Sequence, residues 1–283
     1  MIYDNSSYWQ NIHQQYADQL RAVGHPWLSE KFNQLKYQSE ADTTLSILSE
    51  VKSYFFRQKT IKILDIGAGT GYWTFLVGEW FKKEGFEVDM HALDISVDAL
   101  KAMKERMPWI NPVYQDLKTV APDLFREQFD LVYPFYCLHH LTNLDDFLNG
   151  LRFTGRSVRK AGIMIYMDPV LTRPYSIFDT IDFPTYQGNG IPRHLYLIDN
   201  VMQNEGLRRV TIKPAISYLL NGNIEADSRQ AYRFHAKIWH TLQKWYADQE
   251  KTRQIENWIC RIDKRLKSQN KAFSSSVVVY QKY

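Results

Sequence analysis

The sequence is poor in cysteine, since its 283 residues include only Cys137 and Cys260, which lie far apart. This separation fits neither the cysteine framework of a small secreted domain nor the paired spacing of a zinc site. Such scarcity is typical of a reducing compartment. We therefore expect a cytoplasmic protein without a bound metal.

Long apolar runs are also missing. The longest apolar runs have the length of a strand, and the polar segment up to Trp9 has no stretch resembling the centre of a signal peptide. We therefore expect neither export nor a membrane span.

A strong charge of one sign is likewise lacking. The net charge is +4, and the lysines and arginines are scattered or lie on the outer faces of predicted helices. Proteins that bind nucleic acids usually concentrate such residues in one patch. We expect no nucleic-acid partner, and a hydrophobic content of 45% is sufficient for one packed domain with an insertion.

Short apolar runs alternate with helical patterns from Ile61 onward. Runs of this length and composition predict strands, and their alternation with helices predicts an α/β fold built on a parallel sheet. The predicted strands are Ile61–Ile66, Glu87–Leu93, Pro112–Gln115, Phe129–Tyr133, Ile163–Met167, Arg208–Ile216 and Ser274–Tyr280.

Two segments flank or interrupt this predicted core, which spans 59–220 and 272–283. Residues 1–58 begin with Ser7 and Gln10 in the spacing of a capping box, and they predict an N-terminal helical arm or lid. Residues 221–271 carry two amphipathic helical patterns and predict a helical hairpin, which is also a candidate homodimer contact. Its tryptophans either pack the hairpin or touch a substrate.

The stretch after Asp168 is rich in turn residues and aromatic side chains. This composition predicts a lid over a binding site. The lid candidates are Tyr175, Phe178, Phe183, Tyr186 and Tyr196.

A glycine-rich turn, Gly67-Ala68-Gly69-Thr70-Gly71, joins the first predicted strand to a helix. Glycine permits positive φ and lets the backbone approach a ligand, and the following helix offers free N–H groups. Dinucleotide sites use the spacing G-x-G-x-x-G, whereas this turn has G-x-G-x-G and follows Asp65. An acid in that place repels phosphate but suits an amino group.

The segment from Asp65 to Gly71 resembles the first motif of class I S-adenosylmethionine-dependent methyltransferases, and later motifs follow in order up to Gly206. The resemblance implies a doubly wound, Rossmann-like α/β sheet of seven strands, with the helical hairpin inserted between the last two. It also implies S-adenosyl-L-methionine as cofactor and in-line methyl transfer to a small acceptor. The aromatic lid favours an apolar or aromatic acceptor, as in natural-product biosynthesis, with O, N or C as the methylated atom.

The resemblance also assigns roles along the chain. It implies that Asp65 and the glycine turn hold the methionine part of the cofactor, that Asp94 accepts the ribose hydroxyls, and that Ile95 stacks on adenine. At the fourth motif the chain departs from the family, since Pro134 and Phe135 replace small or polar residues. The implied cofactor residues are Asp65, Gly67, Ala68, Gly69, Thr70, Gly71, Trp73, Asp94, Ile95, Asp116, Leu117, Tyr133, Pro134 and Phe135.

His139 and His140 follow the fourth strand, and Asp168 ends the fifth. These strands are neighbours in the implied topology, so the three residues should meet at the sheet edge where open α/β sheets bind ligands. We hypothesise that His140 is the base for a hydroxyl acceptor, oriented by Asp168, with His139 as the alternative. The other reading is structural, with the histidines as corner caps and Asp168 as a turn opener.

Two alternatives remain at this stage. The same fold could use S-adenosylmethionine for chemistry other than methyl transfer, or the chain could be an inactive cofactor-binding interaction subunit. The acids Asp65, Asp94 and Asp116, all present in register, argue against the inactive subunit.

Overall fold

The structure is a computed structural model that describes residues 4–16, 19–22, 30–121, 123–171, 190–217, 258, 261–262, 264–265 and 273–283. The predicted lid residues Tyr175, Phe178, Phe183 and Tyr186 lie outside the described residues, as does most of the predicted hairpin 221–271. Tyr196 is described and is 74% exposed on a helix.

One mixed sheet organises the fold. In the part of the chain that is described, its strands follow the order β3-β2-β1-β4-β5-β8-β7, with the short β6 paired to the end of β5. The first five strands are parallel to one another, and β8 is antiparallel to both β5 and β7. The strands are β1 (Thr60–Ile66), β2 (Glu87–Asp94), β3 (Ile110–Tyr114), β4 (Phe129–Pro134), β5 (Val158–Leu171), β6 (Arg193–His194), β7 (Leu207–Ser217) and β8 (Phe273–Lys282).

Helices cover both faces of this sheet. Residues of α2, α3 and α4 belong to the core on one face, and residues of α5 and α6 belong to the core on the other. The predicted doubly wound, Rossmann-like fold is confirmed. The α-helices are α1 (Asn5–Tyr16), α2 (Glu30–Val51), α3 (Tyr72–Lys83), α4 (Val97–Arg106), α5 (Leu144–Ser157) and α6 (Leu195–Asn204).

The strands are apolar on both sides because both faces are covered. Ile61 and Ile63 of β1 enter the core beneath α2 to α4, whereas Leu64 and Ile66 enter the core beneath α5 and α6. Parallel sheets buried on both faces characteristically read as continuous apolar runs. This burial made the strands recognisable in the sequence.

The predicted N-terminal cap is wrong. Helix α1 begins at Asn5, and the Ser7 backbone N–H donates to Asp4 Oδ2 at 2.9 Å. The capping residue is therefore Asp4, and Ser7 lies within the first turn. The predicted cap is three residues too late because aspartate and serine are both common as the capping residue of a helix.

The carboxyl ends of the parallel strands place the motifs together. At this edge β1 leads into the glycine turn, β2 ends at Asp94, and β4 leads into the short 3-10 helix Leu138–His140. The sheet changes direction between β1 and β4, which is the crevice where open α/β sheets bind ligands. Among the described residues, no helix has the length and apolar character needed to cross a membrane.

Candidate functional site

An open pocket lies at this edge of the sheet. Its walls come from α1, the glycine turn and the ends of β2 to β4. The lining residues are Asn5, Trp9, His13, Gly67, Ala68, Gly69, Tyr72, Trp73, Leu93, Asp94, Ile95, Gln115, Asp116, Leu117, Phe135, Tyr136, Cys137, His140 and Leu141.

The glycine turn forms the floor of the pocket. Gly67, Gly69 and Gly71 have φ values of 74°, 53° and 92°, which few other residues adopt without strain. The backbone N–H groups of Gly67 and Ala68 donate to the Leu93 carbonyl oxygen at 2.8 and 3.0 Å. A Cβ atom at Gly67 would lie 2.3 Å from Cys137 Sγ. Glycine is therefore required there by both the backbone and the packing.

Asp94 presents a fixed carboxylate to the pocket. Its Oδ2 accepts the Gly69 backbone N–H at 2.7 Å, and its Oδ1 accepts the Ser96 backbone N–H at 2.8 Å. Each carboxylate oxygen accepts more than one hydrogen bond, so both oxygens retain capacity for a ligand. The carboxylate is thus held in position before any ligand binds.

Asp65 lies below the turn and does not line the pocket. It is almost fully buried, and its Oδ2 accepts the Thr74 hydroxyl at 2.6 Å. Burial raises the pKa of Asp65 to about 7, although hydrogen bonds from Thr74 and Tyr133 oppose the rise. This carboxyl therefore changes protonation near neutral pH.

The two adjacent histidines occupy different environments. His140 lines the pocket, whereas His139 is buried with its Nδ1 at 2.6 Å from Asp168 Oδ1. The ring that contacts Asp168 is that of His139, and the charge of His140 also lowers the pKa of Asp168, so a role of Asp168 in orienting His140 stays a prediction. The two imidazole rings lie against each other, with centroids 3.9 Å apart.

The His139–Asp168 pair is shielded from solvent. Burial lowers the pKa of His139 to about 3 and raises the pKa of Asp168 to about 8. Because burial favours the neutral form of each group, the pair holds a single shared proton near pH 7. It supports the 3-10 turn from behind, since the His139 backbone N–H also donates to Asp168 Oδ2 at 3.3 Å.

Aromatic rings line the pocket, and one of them contacts His140. The ring centroid of Trp9 lies 4.7 Å from that of His140 in an edge-to-face arrangement, and Trp73 meets Phe135 at 5.4 Å. Edge-to-face contacts of this kind fix ring orientation. Part of the pocket wall is therefore aromatic.

Tyr136 is held in an uncommon backbone conformation. Its φ is 52°, which costs energy for a non-glycine residue. Its hydroxyl donates to Glu40 Oε1 at 2.5 Å, and the same oxygen accepts Lys36 Nζ at 2.5 Å. A buried ion pair on α2 thus fixes an aromatic side chain of the pocket.

The predicted cofactor residues divide into two groups. Asp65, Thr70, Gly71, Tyr133 and Pro134 do not line the pocket, and Tyr133 is fully buried in the sheet core. His139 and Asp168 lie behind the wall rather than in it. The predicted residues that line the pocket are Gly67, Ala68, Gly69, Trp73, Asp94, Ile95, Asp116, Leu117, Phe135 and His140.

Sequence reasoning missed the contribution of α1. Asn5, Trp9 and His13 are spaced by four residues, so they share one helix face, and that spacing was a usable signal. Asp130 does not line the pocket, and it accepts the Lys62 backbone N–H at 2.7 Å. Within the described residues, no group of three or more histidine, cysteine, aspartate or glutamate side chains is arranged to hold a metal ion.

Comparison with known proteins gives a family model that matches part of the chain and a shared fold. A family model described as "Methyltransferase domain" matches residues 64–159, which include the glycine turn, Asp94 and both histidines. No curated protein sequence matches the chain.

Solved structures with the same fold are distant in sequence. A protein from Galdieria sulphuraria, assigned as a sarcosine dimethylglycine methyltransferase, is 18% identical with a TM-score of 0.50, covering 85% of this chain and 84% of its own. The 4+2 cyclase SpnF is 12% identical with a TM-score of 0.50, covering 84% and 80%. The YcgJ protein from Bacillus subtilis is 8% identical with a TM-score of 0.50, covering 86% and 97%. At these identities the likeness concerns the fold.

Proposed function

We propose that the chain is a class I S-adenosylmethionine-dependent methyltransferase with S-adenosylmethionine as its cofactor, and that it methylates a small apolar or aromatic acceptor. The observation that carries this proposal is the make-up of the pocket lining. In our proposal the glycine backbone and carboxylates form a cofactor end, whereas aromatic rings and the His140 imidazole form an acceptor end.

The cofactor end fits S-adenosylmethionine. The turn offers backbone without side chains, since a Cβ atom at Gly67 would collide with Cys137, and Asp94 offers oxygens already oriented by Gly69 and Ser96. In this proposal Asp94 holds the ribose, Ile95 and Leu117 hold adenine with Asp116, and the turn holds the methionine part. When bound, the cofactor supplies an electrophilic methyl group on a sulfonium.

Asp65 acts on this end from below in our proposal. Its buried carboxyl has a pKa near the physiological range, so a nearby ammonium group favours its charged form. Its charge therefore attracts the ammonium group of the methionine part, and its position below the glycine turn supports that turn. Thr74 and Tyr133 fix its orientation.

The acceptor end positions the acceptor and removes a proton. His140 is the pocket imidazole, and a neutral imidazole accepts a proton from a hydroxyl near pH 7. We assign it the role of base for an oxygen acceptor. His139 and Asp168 are positioning residues, because their pair fixes the 3-10 turn that presents His140.

The aromatic side chains supply most of the remaining catalysis. Trp9, Phe135 and Tyr136 form a water-poor surface on which a planar or apolar acceptor can be oriented. Correct alignment of two reacting groups contributes more to methyl transfer than covalent participation by the protein. A base adds about 10²–10⁴-fold when the acceptor must lose a proton.

A second candidate function keeps the cofactor and changes the reaction. One structure with the same fold is described as a 4+2 cyclase, so this fold also occurs in a protein named for chemistry other than methyl transfer. The pocket-facing imidazole favours methyl transfer to a hydroxyl, since a base is useful there. We further propose a cytoplasmic enzyme in natural-product metabolism, with residues 221–271 as a homodimer contact.

Product analysis tests the proposal. The purified protein is incubated with S-adenosylmethionine and pooled small aromatic hydroxyl, amine and carbon acceptors, with His140→Ala as the matched control. We expect S-adenosylhomocysteine together with a product heavier by one methyl group. Cofactor binding with products that carry no added methyl group would favour the second function, and binding without any turnover would favour an inactive subunit.

A further inference from the structure

The first helix forms one wall of the pocket. Asn5, Trp9 and His13 share one face of α1, and all three line the pocket. The helix is tied to the core through Gln14, whose Nε2 donates to Asp98 Oδ2 at 3.2 Å. These contacts hold the α1 side chains against the pocket.

His13 is the buried member of this face. It is 5% exposed, and it lines the same pocket as Asp94. Its Nδ1 is buried and has no hydrogen-bond partner among the described residues. Because buried polar atoms in native proteins nearly always have a partner, this nitrogen in the pocket wall indicates a ligand.

The protonation state of His13 defines which ligand atom it suits. Burial lowers the pKa of His13 and so favours its neutral ring, and Asp94 lines the same pocket. A neutral imidazole has one donating and one accepting nitrogen, so Nδ1 can serve as the acceptor, and the Asp94 carboxylate also accepts. Two acceptors in one part of the pocket suit a ligand with two neighbouring hydroxyl donors.

We propose that His13 binds the cofactor directly, with Nδ1 accepting a hydrogen bond from one ribose hydroxyl while Asp94 accepts from the same diol. This inference rests on the proposed function, in which Asp94 holds the ribose. It makes α1 part of the cofactor site and makes His13 a residue that selects ribose over deoxyribose.

Calorimetry with the full chain tests the contact, using S-adenosylhomocysteine and its 2′-deoxy and 3′-deoxy analogues. His13→Phe keeps a flat ring at the position that lies 5.8 Å from Trp9 and removes the acceptor nitrogen. We expect this variant to bind S-adenosylhomocysteine about three- to tenfold more weakly. It should bind one of the two deoxy analogues as tightly as the wild type does.

Gln14→Ala is the matched control, because it loosens α1 from Asp98 without changing a pocket residue. It should change the affinity for all three ligands by one common factor. If His13→Phe does the same, or changes nothing, the inference is overturned and His13 serves only packing. A wild type that does not bind S-adenosylhomocysteine would instead reject the proposed function.

A nitrogen-15 measurement covers the case in which His13→Phe does not fold. In the wild type, the Nδ1 resonance of His13 should shift when S-adenosylhomocysteine binds and shift less with one deoxy analogue. An unchanged resonance with all three ligands would overturn the inference.

Discussion

The two ends of the pocket are built in different ways. The cofactor end consists of backbone and short acids from consecutive strand ends, and its key contact joins Asp94 to Gly69. The acceptor end consists of large side chains from distant segments, among them Trp9 and His140, whose rings meet at 4.7 Å. A site for one fixed cofactor can rely on a local motif, whereas a site for a particular acceptor depends on how separate helices and turns pack.

His140→Ala should cause the largest loss and should affect only the acceptor end. With an acceptor identified by product analysis, we expect kcat to fall by about 10²–10⁴-fold while the Kd for S-adenosylhomocysteine stays unchanged. The wild-type rate should also fall at acidic pH, because only the neutral imidazole accepts a proton. His91→Ala, on β2 and away from the pocket, is the control. Near-normal turnover of His140→Ala would show that positioning alone carries catalysis.

Asp65→Asn removes the buried carboxyl below the cofactor end and should change how the free energy of unfolding depends on pH. Because the folded-state pKa is raised from 3.8 to about 7, the folded protein binds this proton more tightly than the unfolded chain. The stability that the Asp65 proton provides is therefore present at low pH and lost as pH rises through the folded-state value. We compare the free energy of unfolding of the wild type with that of Asp65→Asn. The difference, wild type minus variant, should fall by up to about 1.4 kcal/mol per pH unit between the unfolded-state and the folded-state pKa of Asp65.

Urea unfolding at a series of pH values measures this difference. Asp89→Asn, on the exposed opposite end of β2, should show no comparable slope. A flat difference for Asp65→Asn would mean that this carboxyl is not buried in the folded protein.

Asp94→Ala should weaken the cofactor end without a specific effect on the acceptor. Charge-assisted hydrogen bonds contribute about 1.5–3 kcal/mol, so the Kd for S-adenosylhomocysteine should rise by about 10- to 100-fold. Calorimetry measures the change, with Asp89→Ala as the control and Asp94→Asn expected to lie between wild type and Asp94→Ala. Unchanged affinity would remove Asp94 from the cofactor site.

Tyr136→Phe should have the smallest effect. It should lower the stability of the protein without changing the cofactor end. It removes the hydroxyl that Glu40 accepts at 2.5 Å, so the free energy of unfolding should fall by about 1–3 kcal/mol. Affinity for S-adenosylhomocysteine should remain at the wild-type value. Tyr114→Phe, at an exposed position, is the control. Wild-type stability of Tyr136→Phe would show that the contact with Glu40 does not form in solution.

The sequence predicted the core of the fold and the floor of the pocket because these depend on local patterns. Strands buried on both faces are mostly apolar, so Ile61–Ile66 was recognisable as a strand. The glycine turn was recognisable because a backbone with positive φ at Gly67, Gly69 and Gly71 restricts the residue type.

Packing decided the rest. Trp9 and His13 reach the pocket only because α1 lies across the strand ends, more than fifty residues before the glycine turn in the chain. His139 and His140 are adjacent and chemically identical, so no sequence pattern states which of them faces the pocket. The 3-10 turn Leu138–His140 and the contact between His139 Nδ1 and Asp168 decide it, because a buried carboxyl retains one imidazole as its partner and leaves the other to line the pocket.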